Sequence, residues 1–593
     1  MALVLSGQGE KASPVLQFAR KYCAHIGYFL GLLGFLWLLV LPTQSLSRRT
    51  YLSENAMMPG QVDVGFGSSK HLDAMQSVEH HGQDMQKVFG QLGLDSEVQR
   101  IDGGGINVHG VLRAPRSDAV EALVVAAAWD TRNGTNTDAV RLLAGLAQYT
   151  AEQVYWAKDI IFLVTDSGER GVEAWLRAYH GEGGVLRERS GLIQAALALE
   201  MPLAGAYTGL ALHFEGRSGQ LPNLDFLNIV KHVARQEKLP VYYHGLPDMP
   251  GRAPGVEQYL RSARLLLSQV RAQAVGSSVG VHAPFLHYGI DALTVVGLQA
   301  GGGRARDLVA VGRTVEGTLR SLNNLLERFH QSFFFYLLSG NGGFSKSGLF
   351  ISIGNYVPAA VLLAAALMFH AMDLWWRQGP DVTRAESPKD RITRINTYHG
   401  FLRSTLPGSI ALMVRVHVLG ALLFAIPFVV PKVVVSDSTT TGYMFTMFVA
   451  SVTLMLHLSD SMWNPKVASD WRQLKALVAV YVAWVVALLA VMNFSLALAM
   501  FAVVGLPLML TRAADEQTRW TRGCTLLMLA AFSPMVVLTA IRYLVGSEAV
   551  GGSSSLFKTF LSDYSLFGSP VYPLVCLVYW PVNVLCMVIA LMP

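Results

Sequence analysis

The sequence predicts two kinds of structure in one chain: an α/β domain with a mainly parallel sheet covered by helices, and an all-α membrane domain of about eight transmembrane helices. Charged residues make up 15% of the 593 residues, whereas about 25% is typical of a soluble domain. Apolar residues are concentrated in one early run and in the part of the chain after Leu349. Between these parts, short apolar runs alternate with polar turns and amphipathic segments, which is typical of an α/β domain.

Apolar runs of sufficient length define the predicted membrane spans. They cover residues 24–41, 349–372, 410–430, 443–458, 474–492, 496–510, 525–545 and 571–592. The run 474–510 is too long for one crossing, which needs about 20 residues, so we break it at Asn493 into a hairpin. The chain is thereby divided into a terminal segment (1–23), a first span (24–41), a large domain (42–345) and a membrane domain (346–593).

Lysine and arginine residues predict the orientation of these spans. They are concentrated in the loops that follow the second, fourth and sixth spans, and such loops favour the cytosolic side. Both termini are therefore expected in the cytosol and residues 42–345 on the opposite, lumenal side. The first span is predicted to be an uncleaved signal anchor, because its leader is long and no cleavage motif follows Leu41. A cleaved signal peptide is the alternative.

The cysteines and the charge limit the possible functions further. Cys23, Cys524, Cys576 and Cys586 all lie at or within predicted spans, so the large domain has no cysteine to pair and depends on its core. The pI near 9.0 comes mainly from charges in the cytosolic loops. Acidic residues are interspersed through the large domain, so we expect no nucleic-acid partner.

Within the large domain, near-continuous apolar runs indicate strands buried on both faces. Strands are predicted at 107–114, 122–129 and 159–165, helices at 137–150 and 172–179, and further apolar segments at 191–199 and 292–297. The stretch 308–338 carries leucines and phenylalanines at helical spacing. It is predicted to be an amphipathic helix that packs on the domain or lies along the membrane surface.

The order of these elements, followed by Val281-His282-Ala283-Pro284-Phe285, resembles the aminopeptidase family that uses two zinc ions. In that family the ligands lie at the carboxyl ends of parallel strands, where several loops converge. The resemblance places the ligand positions of this chain on Asp130, Asn136, Glu169, Glu200 and His282. Several positions have lost the required chemistry: the first histidine falls on Ala128, the bridging aspartate on Asn136 and the general base on Gly168.

We therefore interpret these residues as degenerate remnants and expect neither a metal nor another cofactor. Hydrolytic zinc sites use three protein ligands and a water molecule, and the residues that remain come from two different metal positions. The alternative is a single weak site completed by Asp130 and Asp138.

Four stretches resemble the glycosylphosphatidylinositol (GPI) anchor attachment family, the multispanning subunit of the GPI transamidase. They are 49–56 (RTYLSENA), 155–165 (YWAKDIIFLVT), 219–225 (GQLPNLD) and 326–334 (LERFHQSFF). The resemblance implies a multi-pass endoplasmic reticulum protein that works with four other subunits, including a cysteine protease-like catalytic subunit. It also implies that the complex cleaves the C-terminal signal of a proprotein and joins the new carboxyl group to the ethanolamine amine of GPI.

Polar residues close to the predicted spans supply candidates for binding the GPI lipid. Tyr51, Ser53, Glu54 and Asn55 follow the first span, and His330 and Gln331 precede the second. Glu54 could pair with an ethanolammonium group, and the others could bind phosphate or sugar through hydrogen bonds. The alternative is that 53–55 form a turn and His330 faces solvent.

The sequence thus predicts a non-catalytic pseudo-peptidase subunit that binds and presents the GPI lipid, and the proprotein, to a separate nucleophile. Two alternatives stay open: a metal-dependent catalyst of amide formation, and a lipid transporter. Asn133, in the sequon Asn133-Gly134-Thr135, is the predicted glycosylation site.

Overall fold

The computed structural model describes residues 14–57, 65–78, 83–101, 104–131, 134–182, 184, 186–202, 205–248, 255–276, 280–299, 305–341, 348–377, 388–429, 453, 470–513, 516–545 and 556–592. The chain forms two compact units. One is Leu41–Asn355, and the other combines Met1–Val40 with Tyr356–Pro593.

The strands in the described part of the chain all belong to the first unit. They are β1 (Arg48–Arg49), β2 (Asp95–Arg100), β3 (Ile106–Leu112), β4 (Glu121–Ala128), β5 (Asp130–Thr131), β6 (Gly134–Thr135), β7 (Asp159–Thr165), β8 (Leu192–Glu200), β9 (Gly209–His213), β10 (Val241–Tyr243), β11 (Leu246–Pro247), β12 (Asp291–Leu298), β13 (Tyr336–Asn341) and β14 (Gly348–Ser352).

The helices are distributed over both units. They are α1 (Pro14–Val40), α2 (Ser69–Gln76), α3 (Gln83–Gln91), α4 (Thr137–Ala151), α5 (Gly168–Tyr179), α6 (Leu224–Gln236), α7 (Val256–Val275), α8 (Ala283–His287), α9 (Leu308–Asn323), α10 (Ile353–Arg377), α11 (Pro388–Val429), α12 (Trp471–Met492), α13 (Phe494–Leu510), α14 (Arg519–Ala531), α15 (Pro534–Val545), α16 (Leu556–Phe567) and α17 (Val571–Leu591).

A nine-stranded sheet in the order β11-β10-β9-β12-β8-β4-β7-β3-β2 organises the first unit. The four central strands, β12, β8, β4 and β7, run parallel. Antiparallel pairs at β2–β3, β3–β7, β9–β12 and β10–β11 surround this centre. The predicted α/β class is confirmed, but the sheet is mixed rather than mainly parallel, because antiparallel pairs flank the parallel centre on both sides and only β9–β10 is parallel outside it.

Strand β4 shows why the central strands are so apolar. Its alternate residues enter two separate cores: Leu123 and Val125 join one, and Val124 and Ala126 join the other. Helix α4 covers the first core and α5 the second, through residues such as Leu143 and Trp175 respectively. A strand covered on both faces cannot alternate between apolar and polar residues, so it appears as a continuous apolar run.

The predicted helix over 308–338 is only half correct. Helix α9 ends at Asn323, a stretch of bends follows, and residues 336–341 form strand β13. The leucine and phenylalanine spacing continues past Asn323, but Leu326 is exposed while Leu325 and Phe329 are buried. Pairing of β13 with β14 therefore prevails over local helical periodicity.

A second, three-stranded sheet in the order β1-β14-β13 corrects two predicted boundaries. The large domain is predicted to end at residue 345, which lies outside the described residues, whereas the compact unit continues to Asn355. The second span was predicted from Leu349, but residues 348–352 form strand β14 and the helix begins at Ile353.

The second unit contains most of the apolar helices. Five helical stretches are long and apolar enough to cross a membrane, namely Tyr22–Val40, Ile353–Arg377, Ile392–Val429, Trp471–Met492 and Val571–Leu591, and the bent pair α14–α15 makes a sixth candidate. Helix α13 is apolar but shorter, and the predicted span 443–458 lies outside the described residues. The structure thus describes five or six candidate spans where the sequence predicts eight, and Asn493 separates α12 from α13 as expected.

Polar side chains in this unit donate hydrogen bonds to backbone carbonyl groups of the same unit. Pro581 has no N–H group, so it leaves the carbonyl group of Leu577 without its usual helical donor, and the Tyr481 hydroxyl donates to that oxygen at 3.3 Å. The Asn583 amide donates to the carbonyl groups of Leu529 and Phe532 at the break between α14 and α15. These contacts favour a structural role for Asn583 over recognition of a ligand.

Gly420 allows α11 and α17 to approach closely. A Cβ atom built there would lie 2.6 Å from the carbonyl oxygen of Cys576 and 2.9 Å from Cγ of Pro581. Gly400 lies in the same helix, and a Cβ atom there meets nothing within 4 Å. The same substitution at the two positions therefore tests the packing.

We predict opposite effects of Gly420→Ala and Gly400→Ala on thermal unfolding of the full chain in detergent. Gly420→Ala destabilises by about 2 kcal/mol because it overpacks the contact. Gly400→Ala is neutral or stabilises by up to about 1 kcal/mol, because alanine favours helix. Equal unfolding midpoints for the two variants would contradict the described contact between α11 and α17.

Candidate functional site

Asn136 occupies the position where the aminopeptidase resemblance expects a bridging aspartate, and its side chain is committed to the backbone. Its Nδ2 donates to the carbonyl groups of Ala128, at 2.8 Å, and Leu199, at 3.0 Å. Its Oδ1 accepts from the N–H group of Met201 at 2.5 Å. The amide thereby joins the carboxyl ends of β4 and β8. Because two of its three partners are acceptors, this position requires a side chain that donates.

His282, the last predicted ligand, is likewise fully used. The residue is completely buried. Its Nδ1 lies 2.8 Å from the Thr294 hydroxyl, and its Nε2 lies 3.1 Å from the carbonyl oxygen of Glu215. Since a carbonyl group only accepts, Nε2 carries the proton and Nδ1 accepts from Thr294. Burial lowers the pKa of His282 to about 4, so the ring is neutral and has no free lone pair for a metal.

Glu169 forms an ion pair with Arg217 in which both side chains are largely buried. The guanidinium group therefore supplies the positive charge next to this carboxylate. Glu215 and Arg217 belong to the same segment after β9, so this segment contacts both His282 and Glu169. Neither residue was identified from the sequence. Their partners are more than 45 positions away, and no local sequence pattern indicates contacts at that separation.

The remaining predicted remnants do not complete a metal site. Glu200 is buried at the end of β8, whereas Asp130 is exposed in the short β5–β6 hairpin. Asp138 accepts from the N–H group of Gly205 and the Tyr207 hydroxyl, each at 3.3 Å. Among the described residues, no group of three or more histidine, cysteine, aspartate or glutamate side chains could hold a metal. The donors present therefore do not fit zinc, because Asn136, Glu169 and His282 already bind protein partners.

A second cluster brings together the two groups of predicted GPI-binding residues. The Glu54 carboxylate accepts from the backbone N–H groups of His330, at 3.5 Å, and Gln331, at 3.2 Å. Nδ1 of His330 also lies 3.5 Å from Glu54 Oε1. Residues 276 positions apart in sequence thus form one site, which we call the Glu54–His330 cluster: Ser53, Glu54, His330 and Gln331.

The two sides of this cluster differ in exposure. Glu54 is only 6% exposed, whereas the His330 side chain is 54% exposed. His330 Nδ1 donates to the carbonyl oxygen of Arg328 at 2.9 Å. This contact and the nearby Glu54 carboxylate raise the pKa of His330. The buried Glu54 carboxylate thus holds the backbone of residues 330 and 331, while the side chains of His330 and Gln331 face outward.

Asp225 holds the backbone of the segment that carries Glu54, and it is not among the candidates predicted from the sequence. The carboxylate is fully buried, and one oxygen accepts from the N–H groups of Ser53, at 2.9 Å, and Glu54, at 3.0 Å. Burial raises the pKa of Asp225 against the effect of these donors. The preceding Asn223 caps helix α6, so an Asn-x-Asp helix start was a visible local signal. The contact of Asp225 with residues 53 and 54 has no such local signal.

The other predicted residues lie on the surface or outside the description. Tyr51 and Asn55 are exposed. The carbonyl oxygen of Tyr51 accepts from the Asn228 amide at 3.4 Å. Asn133, the predicted glycosylation site, lies outside the described residues.

A sheet domain of this topology, joined to several apolar helices, defines the class: a candidate membrane protein with one large α/β domain. A family model described as "Gaa1-like, GPI transamidase component" matches residues 104–587. The chain belongs to this family.

Two similar proteins are yeast GPI transamidase components. The gaa1 component of Schizosaccharomyces pombe is 32% identical over 392 residues, which are 61% of this chain and 66% of that protein. The GAA1 component of Saccharomyces cerevisiae is 30% identical over 364 residues, which are 59% of this chain and 57% of that protein. The chain therefore spans 66% and 57% of the lengths of these two relatives.

Two solved structures of smaller proteins are similar to part of this chain, and the similarity extends over nearly the whole of each of them. A putative zinc-dependent exopeptidase from Bacteroides vulgatus has 17% identity and a TM-score of 0.28, covering 44% of this chain and 99% of that chain. A glutaminyl cyclase from Porphyromonas gingivalis has 16% identity and a TM-score of 0.28, covering 43% and 99%.

We predict that Asn136→Asp destabilises the full chain by about 3–5 kcal/mol. The carboxylate turns an acceptor toward the carbonyl groups of Ala128 and Leu199, and a buried unpaired group costs about 1–3 kcal/mol. The loss is smaller at low pH, because a protonated aspartic acid can donate to one of the two carbonyl groups. Thermal unfolding midpoints measured against pH check this.

The matched control is Asp138→Asn in the first turn of the same helix. There the amide oxygen keeps the acceptor that Gly205 and Tyr207 use, so the effect stays within about 1 kcal/mol. Equal stability of Asn136→Asp and the native chain would show that the described amide contacts contribute nothing.

Proposed function

We propose that this chain is a non-catalytic subunit of the GPI transamidase, which holds the GPI lipid, and the proprotein, for attachment. The observation that carries the proposal is the assembly of the Glu54–His330 cluster from two distant segments, with His330 and Gln331 facing outward. Membership in the family supports the assignment to the complex. In this proposal the protein resides in the endoplasmic reticulum membrane, with the α/β domain lumenal and both termini cytosolic.

The mechanism proposed is proximity. A cysteine protease-like subunit forms an acyl-enzyme with the proprotein, and the ethanolamine amine of GPI attacks that acyl carbon to form an amide and release the thiol. Holding the amine near the acyl group raises the effective concentration without covalent chemistry in this chain. The His330 ring and the Gln331 amide can donate to a phosphate or sugar oxygen of the lipid.

Glu54 acts as a positioning residue in this proposal. Its carboxylate is buried and accepts from the backbone of His330 and Gln331, so it orders the loop that carries the outward-facing groups. This differs from the sequence-based hypothesis that Glu54 pairs directly with an ethanolammonium group. The two roles predict different responses to substitution.

We expect His330→Ala to lower GPI transfer about tenfold with complex assembly intact, because it removes one strong hydrogen bond to a charged group. Glu54→Ala should lower transfer by at least as much, whereas Glu54→Gln, which keeps an acceptor oxygen, should retain most of it. Transfer of GPI to a reporter proprotein is measured in cells lacking the native subunit, and assembly by co-purification.

The control variant is Asn324→Ala, an exposed residue at the start of the same segment, which should leave transfer unchanged. Normal transfer in both His330→Ala and Glu54→Ala would refute the proposed lipid site. Equal losses in Glu54→Gln and Glu54→Ala would instead support a direct pairing of Glu54 with the ammonium group.

The rival function is a metal-dependent catalyst of amide formation. We expect the purified full chain to contain well below one zinc ion per chain by elemental analysis, because Asn136, Glu169 and His282 are committed to protein partners. Glu169→Ala and His282→Ala should leave that content unchanged. Stoichiometric zinc that both substitutions abolish would favour the rival and overturn the non-catalytic assignment.

A further inference from the structure

The segment that carries His330 and Gln331 also exposes three large apolar side chains, which the proposed function does not use. In the segment 324–335, Leu326 is 89% exposed, Phe335 54% and Phe334 37%. Isolated exposed apolar residues are common, whereas neighbouring ones indicate an interaction surface, and Phe334 and Phe335 are adjacent in the chain. We call these three residues the apolar tip.

The segment that carries the apolar tip is firmly packed. Leu325 and Phe329 are buried, and the Phe329 ring lies 5.8 Å from that of Phe226. The Phe333 ring lies 4.8 Å from that of Phe350 in β14, and the carbonyl oxygen of Phe333 accepts from the N–H group of Leu224 at 2.9 Å. The tip residues therefore point outward while their neighbours are held inward.

The strand register gives the position of Phe335 relative to the start of an apolar span. In the antiparallel pair β13–β14, Tyr336 lies opposite Ser352. The residue before Tyr336 is Phe335, and the residue after Ser352 is Ile353, the first residue of the candidate span Ile353–Arg377. Neighbouring strands are about 4.8 Å apart, so Phe335 lies beside the point where the chain enters that span.

The chain segment that follows the first span is tied to the same point. The Asn355 amide, in the first turn of α10, donates to the carbonyl oxygen of Leu46 at 2.7 Å. The strand β1 that follows pairs with β14, with Arg48 opposite Phe350. Both connections between the α/β domain and apolar helices thus leave from the end of the small sheet at which Phe335 is displayed.

We propose that the apolar tip inserts into the interfacial layer of the lipid bilayer and forms a third membrane attachment of the α/β domain. Phenylalanine and leucine side chains are typical of segments that lie in this layer, where they bind by burying apolar area at the boundary between head groups and acyl chains. Glu327, Arg328 and His330, which are exposed beside the tip, remain among the head groups. Continuity with the span makes lipid, rather than another protein, the occupant.

This inference concerns bilayer lipid in general and does not depend on GPI binding. Insertion of the tip would also fix the height of His330 and Gln331 above the bilayer, because they lie on the same segment. Failure of the GPI-binding proposal would leave the inference intact, and the reverse also holds.

The experiment replaces Phe335 with the photo-reactive residue p-benzoylphenylalanine in the full chain, reconstituted in phosphatidylcholine vesicles. After irradiation, mass spectrometry of tryptic peptides detects adducts with the lipid. We expect a phosphatidylcholine adduct at position 335 with a yield at least five times that of a control position. The same probe at position 326 gives an independent second reading if the first variant folds poorly.

The control position is Val256, which is 76% exposed but far from the tip. Helix α7 runs along β13, since Ser262 donates to the carbonyl oxygen of Ser339 and Gln269 contacts Leu338 and Tyr336. Val256 lies 13 residues before Gln269, about 20 Å along the helix at 1.5 Å per residue. Yields at 335 and 326 equal to that at 256, or adducts at 335 and 326 with another protein instead of lipid in native membranes, would overturn the proposal.

Discussion

Antiparallel pairing of strand β14 with both β1 and β13 is the constraint on which the rest of the structure depends. These three strands join residues near 48, 340 and 350. Along the chain, β1 follows the apolar helix α1 and β14 directly precedes the apolar helix α10. The pairing fixes the segment 324–335 against the segment 50–57. The Glu54–His330 cluster and the apolar tip are both consequences of this closure.

The buried carboxylates next to this closure explain why the cluster is ordered. Asp225 binds the backbone of residues 53 and 54, and Glu54 binds the backbone of residues 330 and 331. Backbone N–H groups that are buried in irregular loops need acceptors, and an ionised carboxylate provides strong ones. Two acidic side chains thus replace the hydrogen bonds that regular secondary structure would have supplied.

The polar side chains at the positions where the aminopeptidase resemblance expects metal ligands are used in the same way. At the carboxyl ends of the central strands, an amide, a neutral histidine and a carboxylate each bind protein groups: Asn136 two strands, His282 the segment after β9, and Glu169 an arginine from that segment. In the apolar unit, Tyr481 and Asn583 serve carbonyl groups in the same way. In both units, buried polar side chains stabilise backbone that would otherwise lack partners.

The sequence by itself determined the α/β class, the central strands, the membrane character and the hairpin break at Asn493, because burial on both faces and long apolar runs leave local patterns. It also identified both halves of the Glu54–His330 cluster as candidates for binding the same lipid, but not their direct contact with each other. Only the tertiary structure decided that Glu54 faces inward, that Asp225 and Arg217 complete the two sites, and that the chain after Asn323 turns into a strand. These outcomes depend on contacts between residues 48 to 277 positions apart, and no local periodicity records a partner at that separation.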